Sequence, residues 1–146
     1  MEIRKMQISD YKSVYDLWLS CKGMGLNDID DSENGINKFL ERNPETCFIA
    51  TDNNEVIGVI LAGNDGRRGY IYHTAVRPTE RNTGIGTKLV DKAMKAFEDI
   101  GITKVALVVF EKNETGNAFW EKKGFTSRED LVYRNKQITE MIRIDT

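Results

Sequence analysis

The sequence predicts one α/β domain over residues 1–146, built on a mixed, mostly antiparallel, twisted sheet of six to seven strands flanked by about four helices. Three observations carry that expectation. Apolar residues recur at helical spacing in four separate stretches, β-type runs bounded by turn residues lie between them, and the two kinds of segment interleave along the chain. "EIRKMQI" alternates weakly and predicts a first strand. "SDYKSVYDLWLSC" follows, with Ser9 as its cap and Val14, Leu17, Trp18 and Cys21 on one face, which predicts a helix broken by Gly23 and Gly25. Beyond the polar run "LNDIDDSENG", Ile36, Phe39 and Leu40 predict a shorter helix ending near Pro44. "TCFIA" and "EVIGVILAG" read as strands joined by the turn residues "DNN" into an antiparallel hairpin. "NDGRRG" is the next turn and leads into "YIYHTAV", closed by Pro78.

The clearest amphipathic helix comes next, on Leu89, Val90, Ala93, Met94, Phe97 and Ile100, and Gly101 stands where it should end. "KVALVVF" is apolar without alternation, the pattern of a strand covered on both faces. A short helix around "GNAFWEKKG" follows, and "FTSRED", "LVYRN" and "QITEMIRI" read as closing strands. The predicted order is β-α-α-β-β-β-α-β-α-β-β.

Charge and composition narrow the function. With 21 Lys+Arg against 23 Asp+Glu the formal charge is -2, so a polyanionic partner such as nucleic acid is not expected. The N-terminus lacks an apolar leader core and no run approaches about 18 apolar residues, so a cytoplasmic chain without a membrane span is expected. Cys21 and Cys47 sit in apolar company, outside any C-x-x-C or Cys/His cluster, and read as reduced core residues with no metal.

The stretch "RNTGIGTKLV" opens the long helix with two glycines. The first turn of any helix leaves N–H groups without partners. An anion suits them: the helix macrodipole contributes about 0.3–1 kcal/mol, and each charge-assisted hydrogen bond about 1.5–3 kcal/mol. Direct N–H contacts therefore outweigh the dipole, and side-chain-free residues at Gly84 and Gly86 let the backbone come close to phosphate oxygens. Arg81 can add a bidentate contact at the lip. The other reading is a tight turn and nothing more. A dinucleotide fingerprint needs a third glycine where Leu89 stands, and "GIGTKL" lacks P-loop spacing.

The run "YIYHTAVRPTERNTGIGTKLV", a buried strand, and then "NETGNAFWEKKGF" resembles the GNAT N-acetyltransferase superfamily in order and spacing over about residues 70–125. Arg81, Gly84 and Gly86 match its Q/R-x-x-G-x-G/A motif, and "WEKKGF" matches the usual end of the same module. The resemblance implies a sheet in which the "HTAV" and "KVALVVF" strands splay apart to admit acetyl-CoA as cosubstrate. It implies that Thr74, Ala75 and Val76 pair with the pantetheine arm, and that the Val76 N–H meets the thioester oxygen. Arg81, Asn82, Thr83, Gly84, Ile85, Gly86 and Thr87 would hold the pyrophosphate, with Asn113 on the pantetheine. The activity implied is direct acetyl transfer to a primary amine, on a small molecule or on a peptide or protein, by a monomer or homodimer. A non-catalytic CoA-binding domain of the same fold is the alternative.

The proton chemistry departs from the family pattern. Its frequent tyrosine is Trp120 here, an indole that either hydrogen-bonds the sulfur or only packs. Its frequent strand glutamate corresponds to Tyr70, with Tyr72 and His73 nearby, and these three are the candidate catalytic side chains. Alternation places Tyr70, Tyr72 and Thr74 on one face and His73 on the other, and His73 reads first as a structural or surface residue. Asp30, Ser32, Asn34, Gly35 and Glu41 fall on calcium-loop spacing, but Asn37 replaces the apolar eighth residue and acidic helix caps explain the same letters. Asp28, Asp30, Asp31 and Glu33 are expected to face water or to attract a cationic amine.

Overall fold

The computed structural model describes residues 1–144. Strand β1 (Glu2–Lys5) leads through a 3₁₀ turn (Ile8–Asp10) into helix α1 (Tyr11–Ser20), followed by α2 (Glu33–Arg42). Strands β2 (Phe48–Asp52), β3 (Glu55–Asn64) and β4 (Gly69–Val76) come next, then a 3₁₀ turn (Pro78–Glu80), α3 (Ile85–Asp99), β5 (Val105–Ala106) and α4 (Glu114–Lys122). The five strands form one sheet in sequence order, antiparallel from β1 to β4 and parallel between β4 and β5.

Period-two alternation splits the core across the sheet. Ile49, Val59, Leu61 and Ala75 face α1 and α2, where Val14, Leu17, Trp18, Ile36 and Leu40 meet them. Ala50, Ile60, Ala62 and Ile71 face α3, whose stripe of Ile85, Leu89, Val90, Ala93 and Phe97 is fully covered. Each such large side chain contributes about 1.5–3 kcal/mol on burial, so the two layers hold the sheet between them. Among the described residues no helix is long and apolar enough to cross a membrane.

Three expectations are corrected. The sheet has five strands, not six or seven, because "FTSRED", "LVYRN" and "QITEMIRI" form no strand; their one ladder contact among the described residues is an isolated bridge from Asn27 to Arg143. Leu131, Val132 and Ile138 stand 61%, 74% and 99% exposed. β-type letters become a strand only where an edge and a face receive them, and these have neither. "KVALVVF" is not covered on both faces either: Val105 and Leu107 pack toward α3 while Val108 and Phe110 are exposed. Finally, Asp10 rather than Ser9 secures the start of the first helical segment. Its carboxylate accepts from the Gln7 N–H at 2.8 Å and from both Arg4 terminal nitrogens at 2.9 Å.

Both cysteines are free and buried. Burial pushes the Cys47 thiol from 9.0 up to about 12, and the thiol donates to the Ala62 carbonyl at 3.2 Å. Between those two values an unfolded chain loses the proton and the native chain keeps it, so Cys47 favours folding fully below pH 9.0 and progressively less toward about 12. The melting midpoint should fall as pH rises through that window. A Cys47→Ala variant should show a shallower fall, and an equal fall in both would deny the thiol this part.

Candidate functional site

Strand β4 carries most of the expected site, and its pairing changes along its length. At Gly69 and Tyr70 it is bonded on both sides, to Asn64 and Gly63 of β3 and to Val105 and Ala106 of β5. From Ile71 onward only β3 is paired with it. Among the described residues β5 ends after two residues, which leaves the outer edge of β4 without a strand beyond Tyr70.

Within this half the register slips: Val59 pairs Ala75, but Leu61 pairs Tyr72, leaving His73 and Thr74 against one β3 residue. This is a β-bulge, and His73 occupies it with φ 35°. The extra residue inverts the alternation, so Ala75 packs toward α1 while Val76 packs toward α3. It also overturns the expectation that His73 faces away from the tyrosines. The His73 ring lies 6.2 Å from Tyr72 and 5.2 Å from Trp18, edge-on to both.

The bulge also sets the direction of the Val76 amide. In an antiparallel pair the residues of a non-hydrogen-bonded couple point N–H and C=O away from their partner. Val76 opposes Gly58 as such a couple: the ladder bond beside it runs from the Arg77 N–H to the Ile57 carbonyl at 2.8 Å. The Val76 carbonyl accordingly accepts from Arg81 Nε at 3.3 Å on the outer side. Its N–H shares that direction, into the gap that β5 leaves.

Helix α3 begins beside the end of that gap. Gly84 is its N-cap at φ 85°, ψ 4°, a left-handed conformation that L side chains rarely adopt, and no side chain caps the turn. The first helical bond is from Lys88 N–H to Gly84 carbonyl at 3.1 Å, so the Ile85, Gly86 and Thr87 amides belong to the unpaired first turn. A Cβ on Gly84 would meet nothing, whereas one on Gly86 would press on Phe119 at 3.3 Å. Gly86 thus lets α4 close against α3. Asn82 also has positive φ, and the Thr83 hydroxyl donates to the Glu80 carbonyl at 2.6 Å. Arg81 is exposed but anchored: besides Val76 it reaches Cys21 Sγ at 3.5 Å.

On α4, Asn113 is the N-cap, accepting from the Gly116 N–H at 2.9 Å, and Asn117 braces the preceding loop through the Phe110 and Asn113 carbonyls. Trp120 stacks edge-on between Phe119 and Phe125, at 5.1 and 5.2 Å, which is a packing position.

On the opposite side of the gap, Tyr70 and Tyr72 lie 4.6 Å apart and Phe39 of α2 meets Tyr72 at 5.8 Å. Burial, reinforced by the Tyr133 and Tyr72 phenols, pushes Tyr70 up to about 12, and burial raises Tyr72 as well. Both phenols stay protonated at neutral pH and can relay a proton but not accept one as phenolate. The site residue that sequence reasoning placed wrongly is Asp31. Far from facing water, it is 3% exposed, and the His73 Nε2 lies 2.8 Å from its Oδ1. No periodicity announces a contact across 42 residues that depends on a bulge. Among the described residues no three His, Cys, Asp or Glu side chains are grouped to hold a metal. Ser32 instead caps α2, accepting from the Gly35 N–H at 3.0 Å, as the acidic-cap reading of that loop expects.

Comparison with known proteins agrees with this arrangement. A family model described as the acetyltransferase (GNAT) family matches residues 11–125. An acetyltransferase of Pectobacterium atrosepticum is 31% identical over 140 residues, covering 96% of this chain and 97% of that one. One of Sodalis glossinidius is 30% identical with the same coverage, 96% and 97%. Among solved structures, the PaiA N-acetyltransferase of Thermoplasma acidophilum in complex with coenzyme A superposes with a TM-score of 0.75 at 22% identity, over 87% of this chain and 90% of that one. An acetyltransferase of Streptococcus agalactiae gives 0.75 at 21% identity, over 97% and 94%. At these identities the structural matches speak for the fold.

The left-handed cap makes a prediction about stability. Gly84→Ala should cost about 1–2 kcal/mol in denaturant unfolding, with no clash to relieve. Gly84→Asn should cost less, since asparagine tolerates that conformation; equal losses would mean that φ is not the constraint.

Proposed function

We propose a function on the premise that this chain belongs to the acetyltransferase (GNAT) family: it is an acetyl-CoA-dependent N-acetyltransferase that transfers the acetyl group directly to a primary amine. The observation that carries the finer reading is the outward Val76 N–H, set in an unpaired strand edge that ends beside the uncapped first turn of α3. An extended pantetheine arm would pair with Thr74, Ala75 and Val76 as an added strand. The pyrophosphate would take the amides of Gly84 to Thr87, with Asn82 and Thr83 lining the approach. Arg81 would leave the Val76 carbonyl for phosphate, exchanging a neutral acceptor for a charged one. Asn113, held at the head of α4, would face the arm across the gap.

In this reading the chemistry is preorganised electrostatics. An amine attacking the thioester builds negative charge on its oxygen, and a fixed N–H at Val76 stabilises that charge without reorganisation. Tyr70 and Tyr72, both neutral phenols, line the acceptor side. Trp120 takes no proton role, and the departing thiolate, with an ordinary thiol pKa near ~8.5, is protonated from solvent. The acceptor is an amine carried by a small molecule or a peptide, met in the cytoplasm.

Following thiol release from acetyl-CoA with a panel of amines, amino acids and peptides tests the reaction. Turnover with at least one amine is expected. Tight CoA binding with no release across the panel would favour a CoA-binding domain without catalysis, a reading that Trp120 at the usual tyrosine position sustains. Arg81→Ala should weaken CoA by about 1.5–3 kcal/mol in calorimetry, and an unchanged affinity would remove Arg81 from the phosphate site.

A further inference from the structure

Resting on the transferase reading above, we propose that Asp31 is a positioning residue that fixes the tautomer of His73 and leaves its Nδ1 as the proton acceptor for the incoming ammonium. A carboxylate oxygen accepts, so the 2.8 Å contact requires that His73 Nε2 carry the hydrogen and donate to Asp31 Oδ1. In the neutral ring Nδ1 then holds the lone pair. Among the described residues no hydrogen bond is made to Nδ1, and no side-chain nitrogen or oxygen is both buried and unpartnered. The free nitrogen is therefore open to solvent or substrate, on a side chain that is 16% exposed.

The pair is held on every side. Asp31 Oδ2 accepts from the Asn27 N–H at 2.8 Å, and the Asp31 carbonyl accepts from the Tyr11 hydroxyl at 2.7 Å. Trp18 Nε1 donates to the His73 carbonyl at 3.0 Å while its ring meets the imidazole edge-on. His73 keeps φ 35° in the bulge, a conformation unfavourable for a non-glycine residue that persists where surroundings enforce it. Asp31 comes from the segment before α2 and His73 from β4, so the contact joins two elements, with His73 three residues before Val76 on its strand. The other ionisable side chains at hand are Tyr72, against the His73 ring, and Tyr11, against Asp31.

The proton balance is simple. An ammonium proton passes through a bridging water to Nδ1, giving a neutral amine and an imidazolium whose Nε2 still donates to Asp31 Oδ1. The nitrogen lone pair forms the C–N bond to the thioester carbon, the C–S bond breaks, and the pair leaves on sulfur. The second nitrogen proton is lost to water, solvent protonates the thiolate, and the imidazolium returns the first proton to solvent.

His73 is the single histidine of the chain, so its ring nitrogens can be read without ambiguity by ¹⁵N NMR. The neutral protein should show Nε2 protonated and Nδ1 bare, and Asp31→Asn should lose that preference. In kinetics, His73→Ala should lower kcat by about 10²-fold or more and regain part of it with added imidazole. Asp31→Asn should lower kcat by about tenfold or more, with the KM for acetyl-CoA unchanged in both variants. Protonated Nδ1 in the wild type, or full turnover by His73→Ala, would overturn the proposal. So would loss of CoA affinity in step with kcat and no response to imidazole, the pattern of a merely structural pair. Absence of thiol release by the wild type would count against the transferase reading instead, while the NMR tautomer would still report on the pair itself.

Discussion

The site depends on β4 losing a neighbour after its second residue. A backbone edge cannot sit inside a fold without partners for its N–H and C=O groups, and the chain supplies only some of them. The His73 carbonyl takes the Trp18 indole, and the Val76 carbonyl takes Arg81. The Val76 N–H points the same way as its carbonyl, where no strand follows. The bulge at His73 and Thr74 belongs to the same event, because a bulge bends its strand and increases the twist, and β5 then runs out of register with it. One inserted residue, in the stretch that β5 leaves unpaired, turns Val76 toward α3 and brings His73 round to Trp18 and Asp31.

Magnitudes decide which feature of the α3 start matters. The dipole of a fifteen-residue helix is fixed in the fold but contributes about 1 kcal/mol or less at an exposed end. Three or more first-turn amides aimed at one charged group contribute severalfold more, provided nothing stands between. Gly84 provides that clearance by conformation and Gly86 by letting Phe119 close from behind, two different reasons for the same small residue. The family motif is read as a phosphate grip, yet half of it here serves helix packing.

Much of this was legible in the letters. The four helices fell where periodicity placed them, Gly84 and Arg81 stand at the head of α3, and the hairpin of β2 and β3 closes on its expected turn. What escaped was everything that depends on a partner. The letters of "LVYRN" and "QITEMIRI" carry β preference, but preference without an edge to join yields no strand. Alternation puts His73 on the wrong face because it holds only while the register does, and no letter in "YHTA" announces the slip. Asp31 sits among Asp28, Asp30 and Glu33 with nothing to distinguish it, and only its burial against His73 does so.

The central claim is that the bare amides at the head of α3 and the outer amide of Val76 grip one coenzyme together. Titrating ¹⁵N-labelled protein with CoA and following backbone amide shifts tests this directly. The account predicts large, saturable, parallel shifts at Val76, Ile85, Gly86 and Thr87; shifts that saturate elsewhere while these four stay still would contradict it.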